Sequence, residues 1–428
     1  MITFLLILVF LHISNAQNNT ENKDQNITGI KTENKSNIQV GTVISDEPGN
    51  TRILISDTLP WSCRMAETLL ISYPEIWQME GGRRPYWSYT FGLVGLAMEK
   101  LYVRTGMEKY YDYTKNYIDK LIDDKGIIRT YRLTDYNIDQ INSGKTLFML
   151  YERTKDERYK TALDTLRKQL LKHPRTKTGG FWHKKRYPHQ MWLDGVYMGA
   201  PFMAQYAEEF KEPGMFDDLI NWIRVVEKNT RDSLTGLLYH GWDESRQQKW
   251  SDTITGVSSQ FWGRGVGWYA MALVDVLDYI PPEHQGYNDV IAVLNRLSEA
   301  VIKVQDKKTG IWYQVLDQGG REGNYLEGSV SCMLTYTLLK AVRMGYIDKK
   351  YLETAVRAYR GITQNLIKVN KEGLLTISPV CAVAGLGGNP YRDGSYEYYI
   401  NEKQRDNDPK ATGPFILASL EYEAIISE

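Results

Sequence analysis

Asp194 stands where an aromatic run meets an apolar helix, in His189-Gln-Met-Trp192-Leu-Asp194-Gly-Val-Tyr197-Met. A carboxylate in that place is either a cap or a proton donor. As a cap it stays ionised, because the free N–H groups and the positive end of the helix favour the anion. As an acid it needs its pKa raised against that same dipole. Burial against Trp192 and Tyr197 is one means, and a second carboxylate close by is another. Asp139, in Tyr136-Asn-Ile-Asp139-Gln-Ile-Asn-Ser, is the second carboxylate that the repeat described below brings to the same place; its alternative role is an Asx-turn before a helix.

Arg264 lies in Gln260-Phe-Trp262-Gly-Arg264-Gly-Val-Gly-Trp268, where flanking glycines let the backbone approach a ligand. Its guanidinium suits two-pronged contact with a carboxylate; the alternative is an ion pair with a neighbouring acid. His240, in Tyr239-His-Gly-Trp-Asp243, can donate to a substrate or bond a backbone carbonyl. His183 and His189 are six apart with no H-E-x-x-H pattern and no Cys between them, so no metal site is expected. The glycine-rich run Gly385-Leu-Gly-Gly-Asn-Pro390 lacks the strand and helix of a nucleotide fingerprint and reads as a loop or lid.

The elements that must position these residues form a repeat. Six amphipathic segments with a charged side run approximately over 62–73, 108–122, 157–173, 215–231, 287–304 and 349–369. Each precedes a segment rich in Gly, Ala, Met and aromatics, opening near Tyr89, Asn142, Gly195, Gly265, Gly328 and Thr412. Between them recur glycine turns into short aromatic pieces, such as Thr178-Gly-Gly-Phe-Trp and Thr309-Gly-Ile-Trp-Tyr. Six helical hairpins with small residues inside and charges outside predict an all-α fold, an (α/α)6 barrel, over residues 61–428; an open solenoid is the alternative. Parallel inner helices bring their leading ends to one face. Trp87, Asp139, Asp194, Arg264, Glu327 and Asp406-Asn407-Asp408 should converge there, with His183, Lys184 and His240 nearby. Two acids, a guanidinium and several aromatic faces suit the binding and cleavage of an acidic sugar.

Composition narrows the classes. The 428 residues have zero formal net charge, so nothing global points to nucleic acid or an anionic membrane. Residues 1–16 carry an apolar run and a small-residue exit at Ser14-Asn15-Ala16, which predicts a signal peptide and an exported protein, periplasmic or secreted, with an uncleaved anchor as the alternative. No later run approaches bilayer length. Residues 17–60 contain no aromatic residue and read as a disordered polar linker. Cys63, Cys332 and Cys381 are far apart and read as buried thiols, with one disulfide as the alternative in an exported protein.

Several of these pieces together resemble glycoside hydrolase family 105, the unsaturated rhamnogalacturonyl hydrolases and their relatives. They are Trp61-Ser-Cys-Arg-Met-Ala, Tyr136-Asn-Ile-Asp-Gln-Ile-Asn, Trp182-His-Lys, Gln190-Met-Trp-Leu-Asp-Gly-Val-Tyr-Met, His240-Gly-Trp-Asp and Phe261-Trp-Gly-Arg-Gly-Val-Gly-Trp. The resemblance spans Trp61 to the C-terminus and implies the same barrel. It also implies an unusual reaction on the 4,5-unsaturated uronic acid that polysaccharide lyases leave at a non-reducing end. The residue matching Asp194 protonates C4, water adds at C5, and the hemiketal opens to expel the aglycone. By the same resemblance Asp139 is the second acid, and His240, Trp262 and Arg264 contact the unsaturated sugar. Lys184 becomes a partner for its carboxylate, and no cofactor is implied. Ser143 stands where many relatives have Pro, and Gly263 often corresponds to Ala. The aglycone is rhamnose in both pectic rhamnogalacturonan and sulfated ulvan, and the motifs define only the uronyl end. The competing readings are a conventional inverting glycanase using Asp139 and Asp194, a sugar epimerase, and a non-catalytic sugar-binding protein.

Overall fold

In a computed structural model, residues 41–47 and 50–427 are described, and thirteen α-helices dominate them. Six form an outer layer: α1 (Trp61–Ser72), α3 (Glu108–Asp119), α5 (Glu157–Lys172), α7 (Gly214–Thr230), α9 (Tyr287–Lys303) and α11 (Leu352–Asn365). Each is followed in the chain by an inner helix. These are α2 (Tyr89–Thr105), α4 (Lys145–Thr154), α6 (Leu193–Glu209), α8 (Gly263–Val276), α10 (Gly328–Arg343) and α13 (Pro409–Ser427), with the short α12 (Tyr396–Ile400) before the last. Neighbouring inner helices pack in chain order and α13 returns to α2, so the ring closes as the (α/α)6 barrel expected from the repeat.

Small residues set the inner spacing. A Cβ on Gly92 of α2 would lie 2.4 Å from Ser143, and one on Gly267 of α8 would lie 2.9 Å from Met333 of α10. Ser143 closes the first of these contacts by donating to the Ser88 carbonyl at 2.5 Å. The charged helices are sided as their sequences require. In α5, Tyr159, Ala162, Leu163, Leu166 and Leu170 are buried at helical spacing, while Lys168 and Lys172 face solvent.

Three antiparallel two-stranded sheets accompany the ring, in the pairs β1 (Gly41–Glu47) with β2 (Asn50–Ile55), β3 (Gln190–Trp192) with β4 (Gly241–Asp243), and β5 (Ile367–Val369) with β6 (Leu375–Ile377). The first corrects the expectation of a structureless linker through residue 60. Gly41 to Ile55 pair in register Thr42↔Leu54 and Val43↔Ile53, and Ile55 N–H donates to the Glu372 carbonyl. Thr42, Val43 and Ile44 on one strand pair with Leu54, Ile53 and Arg52 on the other, so β-branched and aliphatic residues supply the ladder without any aromatic residue. The predicted signal peptide and the linker up to residue 40 lie outside the described residues. The three cysteines are free and buried, as read. Among the described residues no helix is long and apolar enough to cross a membrane.

Candidate active site

Asp139 and Asp194 owe their positions to two stretches of backbone pairing. Ile138 N–H donates to the His183 carbonyl and Lys185 N–H to the Tyr136 carbonyl, which lays the segment before α4 along the 183–185 turn. Asn137 caps the 3-10 turn Ile138–Gly144 by accepting from Asp139 N–H, and the Trp87 indole N–H donates to the Gln140 carbonyl. The second stretch is the β3–β4 ladder, which pairs Trp192 with Gly241, while Leu193 N–H donates to the His240 carbonyl. His240 is thereby fixed beside the first turn of α6. Its Nε2 lies 3.3 Å from Oδ2 of Asp194, outside hydrogen-bond geometry, and neither atom makes a hydrogen bond among the described residues.

The two carboxylates have different surroundings. Asp139 is held by Lys184 Nζ at 2.6 Å and faces His183 Nε2 at 3.5 Å. Burial alone would raise its pKa, but the charge of Lys184, followed by His183 and the Lys184 hydrogen bond, outweighs burial and holds the carboxyl below the ordinary value. Asp139 is therefore the ionised member. His183, 3% exposed, is pushed down to about 3 by burial and is neutral near pH 7. Its ring stacks on Trp192 at 4.2 Å, and it feels both Asp139 and Asp194. Among the described residues Asp194 has no Lys or Arg within ion-pair distance and its buried Oδ2 accepts no backbone N–H, while Trp192 holds the N-cap position of α6, so the capping role is not the one Asp194 takes. Glycines make the approach possible. A Cβ on Gly195 would meet His183 Nδ1 at 3.1 Å, and one on Gly265 would meet His240 Cδ2 at 3.4 Å and Asp194 Oδ2 at 3.7 Å.

Trp192, Trp262 and His240 join this cluster. Trp192 lies 5.5 Å from His240, and Trp262 lies 4.5 Å from it. Trp262 and His240 are at most 1% exposed, and Trp262 Nε1 is buried without a partner. Other expected residues take different roles. Lys184 is committed to Asp139, so its ammonium is not free to serve as an independent partner for a substrate carboxylate. Arg264 is 1% exposed, and its Nη1 donates to the Cys381 carbonyl at 2.6 Å and toward Ser329 Oγ at 3.4 Å. Only Nη2 is left as a buried donor without a partner, so a two-pronged contact would require Nη1 to leave its present acceptor. Tyr197 does not press on Asp194 as anticipated. One turn further along α6, its ring stacks on Trp268 at 4.8 Å and carries Lys145 Nζ over its face at 3.7 Å. Asp408 of the expected convergent set is a buried ion-pair partner of Lys410 and Arg405, and Asn407 bonds the backbone of β6; both are structural.

Sequence reasoning missed Tyr399, Tyr187 and Arg392. Tyr399 is fully buried, its hydroxyl lies 2.6 Å from His240 Nδ1, and its ring stacks on Trp262. Tyr187 stacks on Trp192 and its hydroxyl accepts from Arg392, which also donates to the Gly387 and Leu386 carbonyls. The glycine-rich loop is thus pinned, with Leu386 buried against Trp192 and Trp250. The aromatic run Tyr396-Glu-Tyr398-Tyr399 was the available signal in that connection. A groove of about 510 Å³ lies alongside Lys184, lined by Thr134, Asp135, Asn137, Lys185 and Arg186. Among the described residues no group of three or more His, Cys, Asp or Glu is placed to hold a metal ion.

A barrel of six helical hairpins with two unlike carboxylates and stacked aromatics at its mouth defines a carbohydrate-active enzyme of the glycoside hydrolase class. The chain belongs to Glycosyl Hydrolase Family 88, whose model matches residues 61–426. It is similar to a solved glycoside hydrolase from family 105 of C. acetobutylicum ATCC 824, with 46% identity and a TM-score of 0.83, covering 86% of this chain and 100% of that one. It is also 26% identical to the unsaturated rhamnogalacturonyl hydrolase YesR of Bacillus subtilis (strain 168) over 278 residues, 64% of this chain and 75% of that protein. The unsaturated glucuronyl hydrolase of Bacillus sp. GL1 shares the fold at 14% identity and a TM-score of 0.60, over 86% of this chain and 96% of that one. The protein is an unsaturated uronyl hydrolase of this family.

Proposed function

We propose that the enzyme removes a 4,5-unsaturated uronic acid from the non-reducing end of lyase-generated oligosaccharides by hydrating the C4–C5 double bond. Asp194 delivers its proton to C4. Water adds at C5 and returns a proton to Asp194, and the resulting hemiketal opens to release the aglycone. The anomeric carbon is not attacked, so carboxylate spacing carries no information on retention or inversion. The observation that carries the reading is the inequality of the two acids: Asp139 is tied to Lys184, whereas Asp194 has no Lys or Arg within ion-pair distance among the described residues and has the His240 imidazole 3.3 Å away. Environments that separate two carboxyl groups in this way assign one as the acid and the other as a fixed charge. Trp262 and Arg264 Nη2 supply further contacts to the uronyl unit.

The aglycone is rhamnose, from pectic rhamnogalacturonan or ulvan. YesR is named for the first of these. Lys185 and Arg186, which form no ion pair among the described residues, rest over Tyr136 and Tyr187 at the groove beside Lys184 and suit an anionic oligosaccharide. The first 16 residues favour export of the enzyme to where such oligosaccharides arise. The test is incubation with lyase digests of rhamnogalacturonan and of ulvan. Loss of double-bond absorbance is expected with at least one digest. Release of the terminal sugar with the double bond intact would instead support the conventional glycanase.

A further inference from the structure

Behind the acid stands a second layer that the hydration chemistry alone does not require. His240 is fully buried, with Nδ1 2.6 Å from the Tyr399 hydroxyl and Nε2 3.3 Å from Asp194 Oδ2. Tyr399 is itself fixed from several sides: Gln314 Nε2 donates to its carbonyl, its ring lies parallel to Trp262 at 5.8 Å, and Ser395 caps the helix that carries it. We propose, resting on the function assigned above, that Tyr399 is a positioning residue whose hydroxyl donates to Nδ1 of His240, holding the imidazole as its Nε2–H tautomer so that Asp194 carries its acidic proton on Oδ1.

The argument is an account of hydrogens. A phenol has one hydrogen to donate, and the hydroxyl of Tyr399 has one side-chain partner, His240 Nδ1. If Nδ1 carried the proton, the phenol hydrogen would be buried without an acceptor, which is costly for a polar group removed from water. The bare Nε2 lone pair would also face Oδ2, which is anionic once Asp194 has protonated C4. With the phenol donating, O–H meets Nδ1 and Nε2–H is directed to the side of Oδ2. Burial keeps the phenol far above its ordinary pKa, so its hydrogen is retained. The same tautomer serves both protonation states of Asp194. In the acid, Oδ2 is the carbonyl-type oxygen and becomes the acceptor for Nε2–H once the two draw together, leaving the proton on Oδ1; in the anion, Oδ2 can still accept. Oδ2 is the buried oxygen, whereas the side chain as a whole retains 14% exposure. The proton is thereby confined to the oxygen nearer the open side of the site. The long Nε2 to Oδ2 approach is of the kind that tightens when substrate closes an active site.

The test uses Tyr399→Phe, which removes one hydroxyl and keeps the ring on Trp262. Because the hydroxyl stands behind His240, KM should stay within about twofold, while kcat on an unsaturated uronide falls roughly tenfold or more. The spectroscopic arm uses 15N-histidine labelling. The chain has six histidines, and His240→Gln assigns the signal. In the wild-type enzyme His240 should show a protonated Nε2 and a bare Nδ1, and in Tyr399→Phe this pattern should shift toward a mixture of tautomers. A wild-type spectrum showing protonated Nδ1 overturns the proposal, as does a Tyr399→Phe variant with unchanged tautomer and unchanged kcat. If Tyr399→Phe fails to fold, the wild-type tautomer decides alone. A wild-type enzyme inactive on every unsaturated uronide would defeat the functional reading and leave the tautomer measurement standing.

Discussion

Replacing Lys145 by Met should stabilise the protein, and by an amount that fades as pH rises. Lys145 is 3% exposed, its Nζ makes no hydrogen bond among the described residues, and its ammonium lies over the face of Tyr197. Burial, opposed by Asp275 but reinforced by Lys100 and Lys340, pushes its pKa from 10.5 down to about 7. In the unfolded chain the amine holds its proton up to its ordinary value. Between about pH 7 and 10.5 the unfolded state therefore binds more protons, and stability rises with pH through that window. The penalty is fully present below the folded pKa and vanishes above the unfolded one. At about 1.4 kcal/mol per pH unit, it amounts to roughly 4 kcal/mol at neutral pH. Loss of the cation–π contact with Tyr197 offsets about 1–2 kcal/mol of this, leaving a net gain on the order of 2–3 kcal/mol. Met retains the unbranched stem and can pack its sulfur on the same ring. Urea denaturation of both proteins at intervals from pH 6.5 to 10 is the assay, those limits being set by roughly the two pKa values. The stability difference should be largest at the acid end and shrink toward zero at the alkaline end. A variant less stable than wild type near neutral pH, or a difference indifferent to pH, would refute the reasoning and mean that Lys145 is charged and satisfied in the fold.

Three further outcomes concern the catalytic face. Asp194→Asn should fold normally and bind substrate but lose about a hundred- to ten-thousandfold in kcat, and retention of more than roughly a tenth of the activity would exclude Asp194 as the acid. Asp139→Asn removes a negative charge and leaves Lys184 uncompensated, and both changes favour ionised Asp194, so the alkaline limb of kcat/KM should move to lower pH. A stationary limb would show that the Asp139–Lys184 pair does not tune the acid. Arg264→Lys should raise KM by roughly tenfold or more with little change in kcat, because an ammonium cannot hold the Cys381 carbonyl and also present a second donor in the place of Nη2. Unchanged KM and kcat would assign Arg264 to the Cys381–Ser329 scaffold alone.

The ring was legible because each helix carries its own position in its composition. Charged residues on one side mark the outer layer, and Gly92, Gly267 and Gly413 mark places where inner helices come within a Cβ of each other. The second inner helix begins at Lys145, after the expected opening near Asn142, because a 3-10 turn started by the Asn137 cap occupies Ile138–Gly144. The identities of Asp139, Asp194 and His240 were readable from local motifs, but their partners were not. Lys184 reaches Asp139 because residues 136–138 pair with 183–185, and Tyr399 reaches His240 across 159 positions of chain. No local pattern reports such pairings. Tyr197 was misplaced because proximity in sequence was taken for proximity in space. Tyr197 lies about one turn further along α6, and its ring is taken up by Trp268 and Lys145 inside the barrel.

The architecture that suits an anionic sugar also works against a protonated acid. Inner helices α6, α8 and α10 begin at Leu193, Gly263 and Gly328, beside Asp194, Arg264 and the Ser329 hydroxyl that receives Arg264 and donates to Glu327. Their N-terminal ends add partial positive charge at the mouth, which attracts a uronate and at the same time favours the carboxylate form of any Asp placed there. An acid at this face can hold a proton only if no full positive charge is added to the helix ends. The site meets that condition by distribution. Lys184 is given to Asp139, Arg264 is drawn toward the Cys381 carbonyl, and burial keeps His183 neutral. What remains beside Asp194 is the imidazole of His240, which touches it through one nitrogen and is held through the other by Tyr399. The neighbouring cations are thus tied away from the acid, and moving any one of them toward Asp194 should cost kcat before it costs binding.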